Sequence, residues 1–245
     1  MKTRNITLAL ALCFANAAHA QDAALNLTFG VKAWQAQWTT WGSDISASDG
    51  FDVVTQVPAK DKVAMIPVIG LQYGRLVASL SAVAPTGFEF RRANDTNIHQ
   101  KRSELDATVG YYLTPRLSLG VGYKRFTQKG STFTYEVAGP SVVGGVTAPL
   151  RGPWSMYGNA AFGSLSASGK STIRVNADYR LTELGAVYSI PMSQFLRAIS
   201  ITGGYRIQVV NALKLPIYDQ NGAFSYFQDG RDLTQGFTLG LVASF

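Results

Sequence analysis

The chain has 245 residues, among them 24 glycines, 13 phenylalanines and 11 tyrosines, and 22 basic against 15 acidic side chains give it a formal net charge of +7. That length suits one domain, and the Lys and Arg are scattered rather than run together with aromatics, so the basic excess does not mark a nucleic-acid reader. Past the N-terminal leader no stretch approaches the twenty or so apolar residues of a membrane-spanning helix.

Lys2 and Arg4 precede the apolar run Ile6 to Ala15, and Ala18-His19-Ala20 supplies small residues before Gln21. This is the pattern of a secretory signal peptide, so residues 1–20 are expected to be cleaved and 21–245 to form the working domain. Cys13 follows the large Leu12, a poor setting for lipid attachment, and cleavage removes the only cysteine. The expected mature chain then has no disulfide, no thiol catalysis and no Cys metal site.

From there the sequence reads as strands separated by turns. Strand one is expected from Leu25 to Trp41, with Leu25, Leu27, Phe29 and Val31 alternating against Asn26, Thr28, Gly30 and Lys32. A long loop, Gly42 to Asp61, follows it. Further strands are expected near 62–72 and 75–88, joined at Tyr73-Gly74. A polar loop from Arg91 to Arg102 then leads to a strand carrying Leu105, Ala107, Val109, Tyr111 and Leu113 on one face. Thr114-Pro115-Arg116 reads as a tight turn. Leu117 to Lys124 alternates cleanly, and Thr132 to Thr147 forms the next strand with a bulge expected at Gly139-Pro140. A turn at Ala148-Pro149-Leu150 leads to Trp154–Ser164. Asn176 to Ile190 needs a phase slip near Thr182-Glu183 to keep Tyr179 and Leu181 on the side of Leu184. Ile199 to Val209 is regular, and Asn211 to Arg231 reads as a long aromatic loop containing Tyr218, Phe224, Tyr226 and Phe227.

The last thirteen residues carry the strongest signal. Leu233, Gln235, Phe237, Leu239, Leu241, Ala243 and Phe245 share one face; Thr234, Gly236, Thr238, Gly240, Val242 and Ser244 share the other. The second face has no charge, which suits the lining of a small barrel better than a water-washed surface. With the signal peptide and the terminal aromatic Phe245, this resembles the small outer-membrane β-barrel proteins of Gram-negative bacteria. The resemblance implies a closed antiparallel up-and-down transmembrane barrel, integral in the outer membrane. The expected strand number is about ten, with eight as the alternative, paired by tight turns below and longer loops above. It also implies that the barrel-assembly machinery reads Phe237, Leu239, Leu241 and Phe245, and that lipid and lipopolysaccharide surround the wall.

Strand phase places Lys32, Asp106, Lys124, Asp178, Arg180, Glu183 and Arg206 on the lumen side. Charges in a narrow barrel must be paired or wet. They form either a salt-bridged plug or the lining of a thin polar passage, and ten strands lie near the size that side chains fill. Trp34, Trp38 and Trp41 are expected at an interfacial girdle.

Catalysis finds little support. His99 is the only histidine beyond the leader. It lies near Ser103 and Glu104, the residue types used by lipid A deacylases, but at a spacing foreign to that family, and no carboxylate pair accompanies it in the manner of the omptin proteases. Ser168-Gly169-Lys170-Ser171 lacks the earlier glycine of a phosphate-binding loop. Asp44, Asp49 and Asp52 read as solvated loop acids rather than a calcium cage. No catalytic, metal or cofactor site is expected. The leading reading is a non-enzymatic barrel, either a narrow porin-like channel for a small solute or a structural envelope protein. The alternative is an adhesion or ligand-binding barrel acting through Gly42–Asp61 and Asn211–Arg231. A lipid A-modifying or omptin-like enzyme stands behind both.

Overall fold

The structure, a computed structural model, describes residues 25–44, 53–91, 97–130, 134–168, 174–192, 195–218 and 224–245. The expected signal peptide, Asp49 and Asp52 lie outside these residues. The described chain is strand and tight turn: β1 (Leu25–Asp44), β2 (Val53–Pro58), β3 (Lys62–Tyr73), β4 (Leu76–Arg91), β5 (Asn97–Thr114), β6 (Leu117–Lys129), β7 (Thr134–Pro149), β8 (Trp154–Ser168), β9 (Arg174–Pro191), β10 (Ala198–Tyr218) and β11 (Phe224–Ser244). From β3 onward each strand pairs antiparallel with the next, and β11 returns to pair with β1 from Thr28↔Ser244 to Trp41↔Arg231. β2 and β3 occupy a single place beside β1, the first against Thr39–Asp44 and the second against Leu25–Ala36. The closed wall therefore has ten strand positions.

The tight turns gather at one end, called lower here, beside Leu25 and Phe245. Gly74 takes a left-handed φ of 56° between β3 and β4, a conformation glycine adopts without a Cβ penalty. Between β5 and β6, Thr114 Oγ1 accepts from the amides of Arg116 (3.2 Å) and Leu117 (3.0 Å), which builds the turn expected there. The next turn sits slightly later than expected. β7 runs through Pro149, and the Leu150 amide donates to the Trp154 carbonyl at 2.8 Å.

The faces divide as the alternation of β11 implies. Phe29, Val31, Met65, Ile69, Leu71, Leu105, Val109, Leu119, Val121, Phe237, Leu239 and Leu241 are exposed on the outside and form an apolar belt. Thr28, Ser79, Ser118, Thr202, Thr238 and Ser244 are buried inside. Above the belt the outward positions turn polar: Gln35 and Gln37 on β1, Lys101 on β5, Arg125 and Lys129 on β6, Arg180 on β9. Several strands far exceed the nine to eleven residues, roughly, that cross a bilayer as tilted strands, β10 and β11 having 21 residues each.

The long loops of the sequence reading are largely strand. Val53–Pro58, Asn97–Arg102, Asn211–Tyr218 and Phe224–Arg231 all belong to ladders. Their alternation is weak because above the apolar belt outward positions such as His99 and Lys101 are polar too, and the period-two contrast fades. No register slip occurs at Gly139-Pro140. The ladder from β7 to β8 is merely interrupted between Ala138↔Ser166 and Val142↔Phe162, beside a proline that has no amide to donate. A register shift does occur between Val83 and Thr86 on β4, and it brings Phe88 and Phe90 inside.

Candidate functional site: the charged layer across the lumen

Inward residues recur every second position along a strand, so β5 sends Arg102, Glu104, Asp106 and Thr108 to the interior in a column. Lys124 enters from β6, Glu183 from β9, Arg206 and Gln208 from β10, and Lys32 from β1; all are buried. They meet in one network. Lys32 Nζ donates to Glu183 Oε1 at 2.5 Å, and the Tyr157 hydroxyl donates to the same oxygen at 2.8 Å. Arg206 stands between two carboxylates, 4.0 Å from Glu183 and 3.8 Å from Glu104. Glu104 also accepts from Arg102 Nε (2.9 Å), Gln208 Nε2 (3.0 Å) and Lys124, which reaches Asp106 Oδ2 at 3.1 Å as well.

β5 and β10 lie on opposite sides of the ring of strands. The Arg206–Glu104 contact therefore crosses the whole lumen. A second diameter is closed higher up, where Gln128 Nε2 on β6 donates to Asp232 Oδ2 on β11 at 2.8 Å. Aromatic rings pack around the cations. Arg102 lies between Trp38 (5.0 Å) and Phe126 (4.9 Å), and Arg206 lies over Trp34 (4.8 Å). Such contacts offset part of the cost of desolvating a guanidinium. Trp38 in turn packs edge-on against Phe88 and Phe90, at 5.3 and 4.8 Å. Room for Tyr157 comes from Gly185 and Gly204, where a Cβ would stand 2.7 Å from its ring and 2.6 Å from its hydroxyl.

Of the residues that the sequence places inside, Lys32, Asp106, Lys124, Glu183 and Arg206 are in this layer. Asp178 and Arg180 are not. The registers of β9 with β8 and with β10 run without a shift, so the expected slip at Thr182-Glu183 does not exist. Tyr179 and Leu181 then point inward with Glu183, at 0 % and 1 % exposure, while Asp178 and Arg180 stand on the outer wall above the belt. Trp34 and Trp38 are likewise no girdle: both are 1 % exposed inside the barrel. The side chain of Trp41 lies outside the described residues. Their even numbering shares the phase of Thr28 and Lys32, so the signal was present, and the usual habit of tryptophan in barrels overrode it. The outward, exposed aromatics at the lower rim are instead Tyr73, Tyr111 and Trp154. Arg102 and Glu104 were missed because they were read as loop and loop edge; extending the phase of Asp106 upward finds both.

The residue types suggestive of a deacylase do not converge. His99 and Ser103 lie on the outward phase of β5, and Glu104 is buried on the inward one. His99 instead faces Glu89 across the ladder. Glu89 accepts from Lys60 Nζ at 3.0 Å, and this bond holds its carboxyl below the usual range. On β11, Phe237, Leu239 and Leu241 project outward, and Phe245 packs against Phe29 and Phe195 at 6.0 and 5.5 Å.

No family model and no curated protein matches the sequence. Several solved structures are similar to this chain. The outer membrane protease OmpT of Escherichia coli matches with a TM-score of 0.54 and 12% identity, over 92% of this chain and 100% of that one. A FadL homologue of Pseudomonas aeruginosa matches at a TM-score of 0.34 and 12% identity, covering 94% and 92%. The toluene transporter TodX of Pseudomonas putida matches at 0.32 and 9%, covering 93% and 91%. At such identities the likeness concerns the fold, that of outer-membrane β-barrels, and leaves activity to the residues.

Proposed function

We propose that the protein is a non-enzymatic structural barrel of the bacterial outer membrane whose lumen is closed to solutes at mid-height. The observation that carries this is the Arg206–Glu104 contact, which spans the diameter within a fully buried ion network. Between a thin passage and a plug, the geometry favours the plug: ring of ten, opposed charges, and aromatic stacking leave the centre occupied by side chains. The outward belt supports membrane placement, and the polar, small-residue interior supports a barrel rather than a lipid-filled shell. In this reading residues 1–20 direct export, the assembly machinery engages β11, lipopolysaccharide surrounds the upper wall, and no catalytic, metal or cofactor site is used.

A second reading has a specific observation behind it. β10 and β11 continue well past the belt, to Tyr218 and from Phe224, and carry a hairpin above the surface. Such a hairpin suits binding of an extracellular ligand, with the plugged barrel as its base.

Planar-bilayer recording of the refolded protein tests the first reading. A silent bilayer with confirmed insertion is expected, and discrete openings are expected only when Arg206→Ala and Lys124→Ala are combined. Porin-like openings of the unaltered protein would sink it.

A further inference from the structure

The outer wall of β4, β5 and β6 carries two features that the closed-lumen reading leaves unused. The first is a groove of about 380 Å³ in the apolar belt. Its floor is Ala78 and Ala107, and its walls are Ile69, Leu80, Val109 and Tyr123. The alanines make the depression, because adjacent outward positions carry large side chains.

The second lies above it on the same strands. Lys101 and Lys129 are direct partners across the β5–β6 ladder, and both are exposed. Like charges placed opposite one another on a sheet repel. Among the described residues neither lysine has an ion-pair partner, whereas nearby Arg125 is held by Glu136 at 2.6 Å and Lys60 by Glu89. Beyond Lys101, its partner on β4 is Gly87, where an added Cβ would meet nothing within 4 Å. The lysine pair thus borders open space.

The distance between the features fits one molecule. Lys101 is six residues above Ala107 on β5, about 20 Å along a strand and less in height once the strand tilts. The track between them passes Leu105 and Ser103 and leaves the apolar belt for the polar wall. This places the lysines at headgroup level if the belt marks the hydrocarbon.

We propose that this face binds one phosphorylated glycolipid of the outer leaflet, with an acyl chain in the groove and a phosphate between Lys101 and Lys129. A phosphate there converts the repulsion of two ammonium groups into two charge-assisted hydrogen bonds. The inference rests on the outer-membrane placement proposed above, and not on the lumen being closed.

Native mass spectrometry of the detergent-refolded mature protein, mixed with bisphosphorylated lipid A or its dephosphorylated form, tests it. One phosphorylated lipid retained per barrel is expected, with retention about tenfold lower for the dephosphorylated form. Lys101→Gln/Lys129→Gln and, separately, Ala78→Phe/Ala107→Phe are each expected to lower retention by a similar factor, while exposed Lys62→Gln leaves it unchanged. Heat-dependent gel mobility verifies that each barrel is folded. Equal retention of both lipids, equal retention by either double variant, or no retention by the folded barrel overturns the proposal. Loss in the lysine variant alone leaves a phosphate site without an acyl groove and overturns it too. Failure of the protein to insert into phospholipid vesicles is a separate result, and it counts against the outer-membrane reading itself.

Discussion

The lower and middle parts of the lumen are lined by different chemistry. The lower part is lined by Thr28, Ser79, Ser118, Ser200, Thr202 and Ser244, small hydroxyl residues that are buried. The middle and upper parts contain Lys32, Glu104, Lys124, Glu183 and Arg206 under a cap of Trp38, Phe88, Phe90, Phe126 and Tyr179. The hydroxyls of the lower part cost little to bury when bonded, as in the pair Ser189 and Ser200 at 2.9 Å. The charges above are tolerable only as a set, since Glu104 serves Arg102, Lys124 and Arg206, and Glu183 serves Lys32 and Arg206. The hydroxyl lining is held by local pairs, whereas the ion network is shared between β1, β5, β6, β9 and β10.

Breaking the set should have the largest effect. Glu104→Ala leaves Arg102, Lys124 and Arg206 with Asp106 and Glu183 alone, and is expected to cost about 3–5 kcal/mol, the usual penalty for removing one partner of a buried pair. Urea titration of the refolded protein in detergent measures it, and a loss below about 1 kcal/mol would mean that water, not protein, balances these charges. An intermediate effect is expected from crowding the seat of Tyr157. Gly204→Val, with a Cβ 2.6 Å from the Tyr157 hydroxyl, should cost about 1–3 kcal/mol by overpacking. The same titration reads it, and an unchanged midpoint would show that both the ring and the β9 backbone at Leu184, 2.7 Å from the added Cβ, give way. The smallest effect belongs to the lower lumen. Ser200→Ala is expected to stay within about 1 kcal/mol, the value of one ordinary hydrogen bond. A larger loss would mean that the lower part is as cooperative as the middle.

The errors of the sequence reading have a common cause. Where one face is apolar and the other small and polar, as on β11, strict alternation marks both the strand and its inward side. Above the belt that contrast fades, so Asn97–Arg102 and the upper parts of β10 and β11 read as loops. On β9, placing Asp178 and Arg180 inside required an invented slip, because Tyr179 and Leu181 resemble belt residues. In fact they fill the apolar upper lumen, and the outer wall at that height carries polar side chains such as Arg180. Trp34 and Trp38 fell to the same confusion between residue type and phase.

The antiparallel strands, the lower turns and the inward phase of Lys32, Asp106, Lys124, Glu183 and Arg206 are all legible in the amino-acid order. These follow from local periodicity, which a single strand records. The tertiary structure alone decided that Arg206 meets Glu104, that Gln128 meets Asp232, and that Lys101 stands beside Lys129. Those pairings depend on the number of strands in the ring and the register between neighbours, and both are fixed only when β11 closes on β1.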